Sequence, residues 1–228
     1  MVTKRLLAVG AIVIGTAVLA ACGDDGGDDA SIDEAYCQAR IDAEIAINAE
    51  DPEALNEALT AFEDNAPADL EDATTTFVDA AREDPAALFE DPEVQEAGME
   101  ISEAVYNDCG FEQVEVTGLD YSFEGIPEEV TSGDVAFQFT NDGEEPHEML
   151  IVRINDDADM TIDEIIELPQ REAQELVTSE AATFAEPGGT DWTMNNLEAG
   201  SYAALCFVET ADGVPHVVEG MVYPFEVT

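Results

Sequence analysis

Positive charge is scarce in this sequence. Six lysines and arginines face 54 aspartates and glutamates, for a formal net charge of −48. Lys4 and Arg5 lie at the start of the chain, and Arg40, Arg82, Arg153 and Arg171 are the only other cations. Phosphate contacts need Lys and Arg, so nucleic-acid binding is excluded. Anionic lipid repels such a chain, so attachment to a membrane must come from something other than a basic surface. Imidazole is scarcer still, with His147 and His216 as the only histidines, and Trp192, best read as core, is the only tryptophan. Glycine is missing between Gly27 and Gly98, which suits helices. The charge does not imply disorder, because hydrophobic residues make up 46% and fall in patterned blocks.

The N-terminus, MVTKRLLAVGAIVIGTAVLAAC, opens with two cations and continues with an apolar run from Leu6 to Ala21. A spanning helix needs about 20 apolar residues, so this run is short for a bilayer. Its charged start, apolar middle and small-residue end are those of an export signal. Leu19-Ala20-Ala21-Cys22 resembles the lipobox of bacterial lipoproteins. That resemblance implies a signal peptide over residues 1–21, cleavage before Cys22, and a lipid on Cys22. The lipid would hold the protein on the extracytoplasmic face of the bacterial cell membrane. Residues 22–31, including GDDGGDDA, read as a flexible acidic tether.

Residues 32–110 read as a small bundle of three or four helices. Ser31 and Glu34 have capping-box spacing. Ile41 and Ile45, then Leu55, Leu59 and Phe62, then Val94, Ile101 and Val105 recur at helical intervals. Asp51-Pro52, Asp84-Pro85 and Asp91-Pro92 each read as a cap followed by proline at the first helical position. Cys37 stands near the start of the bundle and Cys109 at its end. An exported protein meets an oxidising environment, so these two are expected to form a disulfide. Tyr36-Cys37 and Cys109-Gly110 resemble the ends of small helical modules in actinobacterial lipoproteins, a likeness that implies no chemistry.

Beyond Gly110 the texture changes to alternation and turns. VEVTG, DYSFEG, DVAFQFTN, HEMLIVRI, TDWTMNN, SYAALCFV and MVYPFEV read as strands. Val135, Phe137 and Phe139 share one face. TIDEIIEL, with a capping box at Thr161 and Glu164, reads as a helical insert that REAQELV continues. The whole is an α+β multidomain chain, with the helical bundle followed by a Greek-key β-sandwich over residues 111–228.

With Cys22 lipidated and Cys37 paired to Cys109, Cys206 is left alone. Tyr202, Ala204 and Cys206 alternate on one strand face, as a buried structural cysteine would. The histidines argue for more. Each follows a proline at a strand end, and CFVETADGVPHVVEGM places Cys206, His216 and Met221 in one stretch. Two imidazoles, a thiolate and a thioether are the ligand set of a blue-copper site, with a trigonal thiolate–imidazole plane and a weak axial methionine. The thiolate favours Cu(I) and the imidazoles suit Cu(II), so an electron can arrive or leave with little rearrangement.

At this point the sequence resembles the cupredoxin family, of which plastocyanin is a familiar member. FTNDGEEPHEML resembles the loop that presents the first histidine ligand. LEAGSYAALC resembles the turn and strand leading to the cysteine ligand. GMVYPFEVT resembles the closing strand, and DYSFEGIPEEVTSGD an opening hairpin. The resemblance covers residues 111–228 and implies a cupredoxin-like fold with one mononuclear type 1 copper held by His147, Cys206, His216 and Met221. The sequence departs from the pattern in two places. Nine residues separate Cys206 from His216, and Glu148 follows the first histidine where the family often has an asparagine that ties the ligand loops together.

Three functions compete. One is a membrane-anchored carrier of single electrons between redox partners, with a basic partner suited to the acidic surface. The second is a copper-holding or copper-delivery lipoprotein. The third is a metal-free interaction module. A copper enzyme of this fold needs a second centre built from further histidines, and both histidines are already used. No serine–histidine–acid set remains for hydrolysis. Val214, Pro215, Val217 and Val218 are expected to form an exposed apolar patch around His216, where the partner docks.

Overall fold

The computed structural model describes residues 32–49, 51–84 and 86–228. The expected signal peptide, tether and lipid site at Cys22 lie outside the described residues. Among the described residues no helix is long and apolar enough to cross a membrane.

The N-terminal half is helical: α1 (Glu34–Asn48), α2 (Pro52–Asp64), α3 (Glu71–Glu83), the single turn α4 (Ala87–Glu90) and α5 (Pro92–Asp108). Asp51 and Asp91 cap α2 and α5 through their side chains, with proline at the first turn, which satisfies orphan N–H groups where proline has none to lose. Asp33 caps α1 by accepting the Ala35 N–H, while Ser31 of the expected box lies outside the described residues. Asp84 accepts the Ala86 N–H, yet α4 starts only at Ala87, with Ala86 at the capping position. Ile41 is fully buried, but Ile45 is 41% exposed, so those two do not share a buried face. Tyr36, Phe62, Val78, Ile101 and Val105 fill the interior. The Tyr36 and Phe62 rings stack at 4.2 Å, and the Tyr36 hydroxyl meets Thr74 Oγ1 at 2.8 Å. A Cys37–Cys109 disulfide joins the first helix to the end of the last across 72 residues.

The C-terminal half is a sandwich of two mixed sheets. Its strands are β1 (Glu112–Leu119), β2 (Ser122–Glu124), β3 (Glu129–Val130), β4 (Gly133–Asn141), β5 (His147–Ile154), β6 (Val177–Ala185), β7 (Thr190–Leu197), β8 (Gly200–Leu205) and β9 (Val222–Val227). One sheet has the order β2-β1-β4-β7 and the other β3-β9-β8-β5-β6. β1 runs parallel to β4 and β3 parallel to β9; the other pairs are antiparallel. The chain passes repeatedly from one sheet to the other, which locks both around a common core.

That core forms because inward positions alternate. Val114, Val116, Val135, Phe137 and Phe139 come from one sheet, and Met149, Ile151, Tyr202, Ala204, Phe225 and Val227 from the other. The outer faces are covered too. Ala136 and Met194 point the other way, into the cluster built by the helices, with Trp192 packed alongside. The helical layer therefore roofs the four-stranded sheet, α1 and α5 lying against β7. On the far side α6 (Ile162–Ile166) sets Ile162 and Ile165 over Val152, Ala203 and Leu205.

The insert departs from its expected course. Thr161 and Glu164 form the reciprocal capping box, but the helix stops before Pro169, and α7 (Gln170–Gln174) is a separate short helix. The end of REAQELV then becomes β6, an edge strand paired along β5.

Candidate metal centre

The first histidine is placed by the end of a strand. Proline has no N–H and fixes its own φ, so Pro146 closes the loop after β4 and β5 begins at His147. The buried Asn141 organises that loop. Its side-chain amide donates to the Glu145 and Ala185 carbonyls at 2.9 and 2.8 Å, and its oxygen accepts the Gly143 N–H at 2.9 Å. Gly143 passes so close to the site that a Cβ there would lie 2.5 Å from Asp120 Oδ1 and 2.7 Å from His147 Nε2.

Cys206 is the residue after β8, fully buried in the sandwich core. Its N–H donates to the Met221 carbonyl at 3.3 Å, and its carbonyl accepts the Val217 N–H at 2.7 Å. His216 opens a one-turn helix, α8 (His216–Glu219), rather than lying in open loop. Its N–H donates to Val208, and its carbonyl accepts from Met221 N, both at 2.9 Å. Gly220 ends α8 with φ 112°, a left-handed conformation natural to glycine. The long span from Cys206 to His216 is thus folded back on itself, with Glu209 bridging Pro215.

These elements bring His147, Cys206 and His216 together, all three buried. The His147 and His216 Nδ1 atoms are 3.0 Å apart. Cys206 Sγ lies 3.5 Å from His216 Nδ1 and 4.0 Å from His147 Nδ1. A small divalent ion sits about 2.0–2.1 Å from an imidazole nitrogen and about 2.3 Å from a thiolate. Donors 3 to 4 Å apart therefore suit one shared ion. Met221 is fully buried in the same apolar cluster as Cys206, joined to Cys206 and His216 through its own backbone.

Protonation follows from burial. Burial pushes the Cys206 thiol up, against the opposing N–H groups of Glu148 and Val208. Burial also pushes His147 below its ordinary value, although a bond to Asp120 works the other way. A neutral imidazole is ready to ligate, whereas the thiol must lose its proton to do so.

Carboxylates surround the donors, and of these the sequence pattern singled out only Glu148. Asp120 Oδ1 lies 3.3 Å from His147 Nε2 and accepts the Glu144 and Glu145 N–H groups. Burial raises the Asp120 carboxyl, but those N–H groups and the ring outweigh it and hold it below the usual range. Glu145 Oε2 stands 3.0 Å from His216 Nε2. That contact is close without being aligned, so Nε2 makes no directed hydrogen bond. Glu148 links the two ligand segments: its N–H points at Cys206 Sγ at 3.5 Å and its carboxylate accepts the Phe207 N–H at 2.7 Å. The departure at Glu148 therefore keeps the tie between the ligand loops.

The apolar patch expected at His216 is only partly there. Val218 is 68% exposed and Val214 and Pro215 are half-buried, but Val217 is buried against Val152 and Leu205. A one-turn helix cannot expose neighbours on both of its sides, and Val217 faces the sheet. His216 itself has no exposed surface.

No protein-family model matches the chain, and no curated protein does. Among solved structures, dithionite-reduced auracyanin from the photosynthetic bacterium Roseiflexus castenholzii is 22% identical, with 51% of this chain and 96% of that one covered and a TM-score of 0.36. Auracyanin A, a "blue" copper protein from Chloroflexus aurantiacus, is 20% identical over 52% of this chain and all of its own, with a TM-score of 0.35. Rusticyanin from Thiobacillus ferrooxidans is 17% identical over 51% of this chain and 78% of its own, with a TM-score of 0.34.

Proposed function

We propose that this protein is a mononuclear type 1 copper protein that carries single electrons while tethered by a lipid on Cys22 to the extracytoplasmic face of a cell membrane. The observation that carries the reading is the convergence of His147 Nδ1, His216 Nδ1 and Cys206 Sγ within 4.0 Å in a buried pocket. Soft thiolate sulfur with two imidazoles selects copper over oxygen-loving cations. Copper there would supply one chemistry, the exchange of one electron between Cu(II) and Cu(I). The protein's part is to hold the donors in place and exclude water. Both histidines are committed to this site, so no second copper centre is available to make the chain an oxidase. The Cys37–Cys109 disulfide suits an oxidising compartment.

The covered edge of His216 favours a second reading, a copper-holding protein without a fast partner. Cyclic voltammetry and NMR self-exchange on the copper-loaded protein separate the two. A carrier gives one copper per chain, a reversible one-electron wave and self-exchange fast enough to broaden ligand-loop resonances. A holder binds the copper but shows slow exchange. Failure to bind copper at all leaves the metal-free module.

A further inference from the structure

Behind each imidazole of the metal centre stands a carboxylate. Both rings turn Nδ1 inward, toward each other and Cys206. Nε2 of His147 lies 3.3 Å from Asp120 Oδ1, and Nε2 of His216 lies 3.0 Å from Glu145 Oε2. The rings are fully buried, whereas the carboxylates reach them from the partly exposed rim. The carboxylates are also tied together. Asp120 Oδ1 accepts the Glu145 N–H at 3.3 Å, and the Tyr121 hydroxyl donates to Glu145 Oε2 at 3.1 Å. The Tyr121 ring stands edge-on to His216, its centroid 5.1 Å away. Tyr121 is the one non-glycine among the described residues with a positive φ, 66°. A tyrosine in that region is strained and persists only where its surroundings over-determine it.

We propose that Asp120 and Glu145 are paired positioning residues of the copper centre, one per imidazole. Asp120 holds the His147 ring with Nδ1 inward, Glu145 sets its charge against the Nε2 edge of His216, and together they set the centre's preference for Cu(II) over Cu(I). The inference rests on the copper reading above. An imidazole whose second nitrogen faces a carboxylate is a more basic ligand. Negative charge at that distance also favours the more highly charged ion. Both effects lower the reduction potential. The Glu145 carboxylate has a further consequence: it sits over the Nε2 edge of His216, so that edge is not bare at the surface.

Asp120→Asn and Glu145→Gln keep the shape and an acceptor oxygen but remove the charge. On the full chain and each variant, Cu(II) and Cu(I) affinities are measured by competition with chelators of each oxidation state, and the potential by voltammetry. Cu(II) affinity is expected to fall about 10- to 100-fold in each variant, with a smaller loss for Cu(I). Each tenfold change in the ratio of the two raises the potential by about 59 mV. Tyr121→Phe, which removes only the hydroxyl on Glu145, shifts the potential the same way by less. A purely structural role weakens both oxidation states alike and leaves the potential in place. That result, or unchanged affinities in both neutral variants, overturns the proposal. If the parent protein takes up no copper, the copper reading fails by itself, and Zn(II) affinity then tests the positioning role. A tenfold loss in both variants supports that role, and no loss overturns it.

Discussion

Replacing Gly143 by alanine tests the packing of the centre with one methyl group. The glycine has no positive φ to protect, so alanine costs the backbone little. The cost lies in space. The new Cβ would sit 2.5 Å from Asp120 Oδ1, 2.7 Å from His147 Nε2 and 3.1 Å from Asn141 Oδ1. Asp120 is the group able to swing away, because its side chain is 37% exposed while the His147 ring is fully buried. Swinging out surrenders its bonds to the Glu144 and Glu145 N–H groups and its contact with His147. If Asp120 stays, the His147 ring must move toward His216, only 3.0 Å away at Nδ1. Overpacking of this kind costs about 1–3 kcal/mol. Where that cost falls on the metal-bound geometry, Cu(II) affinity drops about 5- to 150-fold, at 1.4 kcal/mol per decade. Competition titration reads the affinity, and thermal melting of the apo-protein reads the fold. Gly110→Ala is the control. Gly110 has φ 73° and nothing within 4 Å of a built Cβ, so alanine there costs about 1–2 kcal/mol of stability and leaves copper affinity alone. A Gly143→Ala protein with parental copper affinity would refute this account of the first-histidine loop.

Three other outcomes follow from the same structure. Opening the Cys37–Cys109 disulfide, which spans 72 residues, removes about 4 kcal/mol of stability on the chain-entropy model; a denaturant midpoint indifferent to its reduction contradicts this. Burial keeps the Cys206 thiol protonated above its ordinary range, so copper binding releases that proton, and Cu(II) affinity rises about tenfold per pH unit below the thiol's pKa; calorimetry in buffers of different ionisation enthalpy counts the proton, and a flat pH profile refutes the assignment. Val218→Asp, at a 68% exposed position, leaves the fold and spectrum intact and slows self-exchange, whereas Val217→Asp buries a charge and destabilises the protein by several kcal/mol; the reverse pattern in melting and NMR experiments would show that Val218, not Val217, packs on the sheet.

The parts of the fold that were legible in the sequence are those written in local chemistry. Asp51-Pro52 and Asp91-Pro92 start helices where they should, and Thr161 and Glu164 close their box. Strand β5 coincides with HEMLIVRI. The three converging donors were legible because two histidines and, among the described residues, one unpaired cysteine are too few to overlook. What was hidden is set by distant partners. VTSEAATFA, which becomes β6, is not among the strands expected from the sequence, because Ala and Glu blur its alternation and it is the open edge of β5 that makes it a strand. Val217 looks like a docking residue until Val152 and Leu205 are seen beneath it. Asp120 and Glu145 could not be picked out by type, because in a chain with 54 acids only the fold distinguishes the two that meet imidazole nitrogens.

The central claim is that Cys206 and both histidines hold one copper ion, and the visible spectrum tests it most directly. Adding one equivalent of Cu(II) to the reduced-thiol apo-protein should produce an intense thiolate-to-copper charge-transfer band. Cys206→Ser should bind without that band and keep its fold. His147→Ala and His216→Ala should weaken or abolish it. Met221→Leu should keep the colour and raise the potential, since a weak donor is lost. A protein that stays folded and binds Cu(II) without colour, or one whose colour survives Cys206→Ser, would contradict the claim.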